Sequence, residues 1–172
     1  MHFLLAACLS LPLLQDKEDA SAAELRGVWE NLLKTAIDGK IEPIAKALRG
    51  WKFSREEFTA LFGDEKTKTA YENYEKFWKA VEDRAAEDLA KRITDKKYDT
   101  VDVWCLNTAD DRSLFAYEKT TLASLADKNI KLYVVRLRVK SEKEGYLLTC
   151  FSKIGDHWRA GLKVGKCLNP ND

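Results

Sequence analysis

The sequence predicts an α+β fold: N-terminal helices, one of them long, packed on a curved, mostly antiparallel C-terminal sheet. Three observations carry it. Apolar residues recur at helical spacing from Leu25 to Ile93, the period changes to alternation from Thr100 onward, and the chain closes in a hairpin about Gly155-Asp156. No repeat, low-complexity tract or linker divides the 172 residues.

Residues 3–14 form an uncharged apolar run, and Gln15-Asp16-Lys17-Glu18-Asp19 is abruptly polar. That length suits the hydrophobic region of a secretory leader and is too short to span a bilayer. We therefore expect a leader over 1–22, cut near Gln15 or after Ala20-Ser21-Ala22, and one α+β domain over 23–172. The alternative is an apolar N-terminal segment of the domain itself. Leu5-Ala6-Ala7-Cys8 resembles the bacterial lipoprotein box, and that resemblance would make Cys8 a lipid-bearing N-terminus.

Ser21 to Glu24 reads as a capping box opening a helix whose apolar face is Leu25, Val28, Trp29, Leu32, Leu33, Ala36 and Ile37. Gly39 stops it, and Pro43 opens a short helix through Leu48. A second capping box, Ser54 to Glu57, starts a turn that buries Phe58, Leu61 and Phe62 and ends at Gly63. Asp64 can cap the longest helix. Ala70, Tyr71, Tyr74, Phe77, Trp78, Val81, Ala85, Leu89 and Ile93 hold one stripe along it for about 28 residues, or roughly 42 Å.

Thr100–Leu106 reads as a strand, Asp110–Leu125 as a short helix, and Ile130–Val139 as a strand with Arg136 and Arg138 on one side. After the polar loop at 141–145 comes a hairpin from Gly145 to Lys166. Pairing Ile154 with His157 sets Leu147, Phe151, Leu162 and Val164 on one buried face, against helices that include Trp29 and Trp78. Cys150, Ser152, Arg159 and Lys163 fall on the other.

The first helix ending in Ala36-Ile37-Asp38-Gly39-Lys40, the helix over Pro43–Leu48, and the Ile154-Gly155-Asp156-His157-Trp158-Arg159 turn resemble NTF2-like (nuclear transport factor 2-like) domains. The resemblance implies a curved sheet wrapped around helices, with a conical pocket between them. It covers both ends of the chain; the long charged helix in the middle departs from it. The family spans isomerases, dehydratases, scaffolds and ligand binders, so the resemblance implies no single activity.

A net charge of +1 gives no global pull toward nucleic acid or membrane. From Asp127 onward, however, ten Lys/Arg stand against five Asp/Glu, and Arg136, Arg138, Arg159 and Lys163 make a candidate basic face. They lack the interleaved aromatics of a nucleic-acid binder. Tyr74, Trp78, Trp104, Tyr133, Phe151 and Trp158 are the candidate lining of a ligand pocket. Asp102, between Val101 and Val103, is the one weak candidate for a catalytic carboxylate. His157, at a hairpin corner, reads as an exposed turn residue. Neither a phosphate-cradling glycine loop nor a metal-ligand spacing is present, so no cofactor or metal is expected. Cys105 and Cys150 are the candidate disulfide pair, with Cys167 left over.

The functional expectation is an exported, non-catalytic domain that binds a small apolar ligand or a partner. Two other readings stay open. One is a pocket enzyme of the isomerase or dehydratase type using carboxylates. The other is an adaptor holding an anionic envelope component on its basic face. The sequence leaves the partner's identity and the oligomeric state open.

Overall fold

Four helices come first. The structure, a computed structural model, describes residues 19–106, 119, 121, 125, 128–161 and 164–168, with the side chains of all but positions 64–67, 81, 83, 165 and 166. Helix α1 (Ala20–Ile37) is capped by Asp19, whose side chain accepts the Ser21 N–H at 2.9 Å. The expected capping box at Ser21 is therefore displaced by two residues, and Glu24 is released for other work. Leu25, Trp29, Leu32, Leu33 and Ala36 are buried as their spacing predicts, whereas Ile37, in the last turn, is exposed.

Helix α2 (Glu42–Gly50) has Pro43 in its first turn. Helix α3 (Arg55–Phe62) carries the predicted box: Ser54 Oγ accepts the Glu57 N–H at 3.1 Å, and the Glu57 carboxylate accepts the Ser54 N–H at 2.9 Å. Gly63, at φ +85°, ends α3 and occupies the cap position of α4 (Asp64–Lys96). Asp64 is thus the first helical residue of α4 and not its cap. The 33 residues of α4 span about 50 Å. Of its predicted stripe, Ala70, Tyr71, Tyr74, Trp78, Leu89 and Ile93 are buried and Phe77 and Ala85 only half-buried; Ala86 and Ala90 are buried in addition, and the side chain of Val81 lies outside the described residues. Lys97, left-handed at φ 54°, ends the helix.

The sheet follows in sequence order, β1 (Thr100–Cys105), β2 (Tyr133–Arg138), β3 (Tyr146–Ile154) and β4 (His157–Ala160), with every pairing antiparallel. Gly145 is forced by the sharp return into β3, because a Cβ there would run into the Leu137 carbonyl and the Arg138 side chain. The hairpin pairs Ile154 with His157, Lys153 with Trp158 and Phe151 with Ala160, the register read from the sequence.

Beyond that the hairpin expectation fails in two ways. Strand β4 stops at Ala160, and Val164 belongs to a short helix, α5 (Val164–Leu168), that packs on α4. In β3, Tyr133 pairs with Phe151 but Val135 pairs with Leu148, so β3 carries one extra residue, a bulge. Cys150 sits in it at φ 63°. An extra residue reverses the in–out phase, so Phe151 is buried while Leu147, opposite Arg136, is 39% exposed. Ser152 and Cys150, expected on the outer face, are both buried. Leu162, Lys163 and most of the expected helix over 110–125 lie outside the described residues.

One hydrophobic cluster joins the helices to the inner face of the sheet. Trp29 of α1, Trp51 after α2 and Phe151 of β3 meet at its centre, ring centroids 5.1–5.7 Å apart. Tyr74 ties three parts of the chain together. Its hydroxyl accepts the Phe53 N–H at 3.0 Å and donates to the Ala160 carbonyl at 3.4 Å, and burial pushes its phenol far up. The Ala160 N–H in turn donates to the Trp51 carbonyl at 2.8 Å, so the end of β4 is closed by the helical layer.

Candidate functional site

The six aromatic candidates do not converge on one cavity. Tyr74 and Trp78 pack with each other, and Tyr74 also with Phe53 and Phe58; Phe151 packs with Trp29 and Trp51. Tyr133 and Trp158 meet edge to face at 5.5 Å. Five of the six are buried core residues; Trp104 is half-buried on the outer sheet face, with the Arg136 guanidinium 5.4 Å from its ring.

Asp102 is directly opposite Arg136 in the β1–β2 ladder. Its carboxylate accepts from Arg136 Nε at 2.8 Å, from Arg138 Nε at 2.7 Å and from Arg138 Nη2 at 3.1 Å. Arg138, then Arg136, hold its pKa below the usual carboxylate range. Such a group is ionised at neutral pH, but its lone pairs are spoken for, and lowered basicity makes it a weak proton acceptor. The remaining Arg138 amino group, Nη1, donates to the carbonyls of Val139, Lys140 and Glu142.

The basic face is divided in the same manner. Arg159 makes a two-pronged pair with Glu57, at 2.8 and 2.7 Å, and donates to the Gly50 carbonyl at 2.9 Å. Arg136 and Arg138 share Asp102, and Lys163 lies outside the described residues. Cys105, Cys150 and Cys167 stand as thiols. The expected Cys105–Cys150 bridge fails on topology. Cys105 pairs with Tyr133 and Tyr133 with Phe151, so the two cysteines are two strands apart, roughly 10 Å, beyond disulfide reach.

Four carboxylates are held below their ordinary range by a hydrogen-bonded cation: Asp19 by Lys131, Glu24 by Lys153, Glu57 by Arg159 and Asp102 by Arg138. A depressed folded pKa contributes stability that is present above the unfolded value and lost as pH falls through the folded one. The urea midpoint should therefore hold from pH 7 to about 5.5 and drop steeply below about pH 4. An unchanged midpoint down to pH 3 would contradict these ion pairs.

A concave site is built elsewhere. Val28 of α1, Pro43, Lys46, Ala47 and Gly50 of α2, Trp51, and Asp156 to Arg159 of the hairpin line an open groove of about 410 Å³. Trp51 and Trp158 are nearly buried floor, while Lys46, Asp156 and His157 are exposed on the rim. Two further depressions lie along α4, but each is a mixed-sign solvent face, such as Lys52, Glu72, Glu75, Lys76, Lys79 and Glu82. Of the aromatic candidates only Trp158 lines the groove, together with Arg159 of the basic set. Its α1 and α2 residues gave no sequence signal, since they become neighbours only when α2 docks beside the hairpin.

Among the described residues no three His, Cys, Asp or Glu cluster to hold a metal, and no helix is long and apolar enough to cross a membrane. No protein-family model matches this chain, and no curated protein and no solved structure matches it.

Proposed function

We propose that this chain is an exported, non-catalytic binding domain of NTF2-like kinship that takes a small amphipathic ligand in the groove between α1, α2 and the β3–β4 turn. One observation carries the reading: the groove sets an apolar floor of Val28, Ala47, Trp51 and Trp158 beside a polar rim on which Lys46, on the α2 side, stands apart from Asp156 and His157 of the hairpin turn. That pairing suits a ligand with an apolar body and one anionic end. The kinship rests on the sequence resemblance at residues 36–40, 43–48 and 154–159.

The carboxylate-enzyme reading loses support because Asp102 is engaged by two arginines. The adaptor reading loses support because Arg136, Arg138 and Arg159 are paired within the chain. The test is an NMR titration with medium-chain carboxylates, following the Trp51 and Trp158 indole signals. Shifts should centre on these two, and Lys46→Glu should weaken binding about tenfold, or roughly 1.4 kcal/mol. Shifts elsewhere, or none across the series, would remove the groove as the site.

A further inference from the structure

We infer that the mature domain begins no later than Asp19, so that leader processing falls ahead of Asp19 and not after Ala22. The cleavage half rests on the export reading; the boundary half rests on contacts of residues 19–22 alone. Asp19 does four things at once. Its Oδ1 accepts the Ser21 N–H at 2.9 Å, and its carbonyl accepts the Ala23 N–H at 3.0 Å. Its Oδ2 accepts from Lys131 Nζ at 2.8 Å and from the Tyr133 hydroxyl at 3.2 Å. The first turn of α1 is thereby fastened to the first residue of β2, 114 positions along the chain. Ala22, one turn on, is 3% exposed within the shared core.

The small-residue site Ala20-Ser21-Ala22 is thus a piece of folded helix. A cut after Ala22 would remove the cap, the link to Lys131 and Tyr133, and a buried methyl. It would also place a new ammonium group at Ala23, against the positive end of the α1 dipole. A cut near Gln15, or a lipid-modified Cys8 at the mature N-terminus, leaves all of this intact.

The experiment compares chains starting at Asp16 and at Ala23, with Asp19→Ala in the longer chain as a variant that retains the whole helix. The Asp16 chain should unfold like the full-length protein. Asp19→Ala should lower the folding equilibrium constant about fivefold to tenfold, and the Ala23 start by more. Equal urea midpoints for the three would overturn the boundary. Intact mass of the exported protein then locates the cut. An N-terminus at or before Asp19, lipidated or not, supports the inference, and one at Ala23 overturns it. An uncleaved product would sink export instead, leaving the urea comparison to decide the boundary.

Discussion

Phe151→Ala should cost roughly 3–5 kcal/mol, the range for emptying a fully buried aromatic site. Phe151 is 1% exposed and meets Trp29 and Trp51 edge to face, so truncation leaves a void that three elements cannot all close. Leu147→Ala, four residues earlier on the same strand, should cost no more than about 0.5–1 kcal/mol, because that side chain is 39% exposed. Urea melts with matched slopes measure both. Similar large losses at the two sites would mean that β3 has no bulge and keeps a single phase throughout.

Arg159→Ala should cost roughly 2–4 kcal/mol, approaching the cost of breaking a buried pair. Its side chain is 14% exposed and that of Glu57 22%, so water replaces the lost partner poorly. Removing it also frees the Gly50 carbonyl at the end of α2. Arg159→Lys should recover less than half of the loss, since an ammonium cannot reproduce the two-pronged geometry. Glu57→Gln keeps the reach back to the Ser54 N–H and so separates the ion pair from the helix cap. A double-mutant cycle that returns no coupling between positions 57 and 159 would refute the pairing.

These two residues also mark where sequence reasoning held and where it broke. The helices were legible because their apolar spacing is long and continuous and their stops, Gly39 and Gly63, take positive φ. Strand β2 and the turn at Gly155-Asp156 were legible from alternation. The phase of β3 was not, because a bulge has no signature when the residue in the left-handed conformation is Cys150 and not glycine. Nor was the end of β4: Leu162 and Val164 continue the alternation on paper, yet the chain has turned into α5 by Val164. Glu57 was recognised as a capping residue, but its second partner is 102 positions away. Asp102 was singled out for its apolar neighbours. Its role depends on which β2 residue stands opposite, and that register is fixed only when β1 docks. The groove was the least legible feature, because its two walls come from separate parts of the chain.

The backbone of Ala160 carries a consequence for how this protein behaves at high concentration. Its amide is taken by the Trp51 carbonyl and its carbonyl by the Tyr74 hydroxyl, so the outer margin of β4 offers an incoming strand no ladder to extend at that residue. Head-to-tail polymerisation by repeated strand addition needs two open margins on every copy. Closing the Ala160 rung leaves β4 a shorter template on that side and so disfavours such growth.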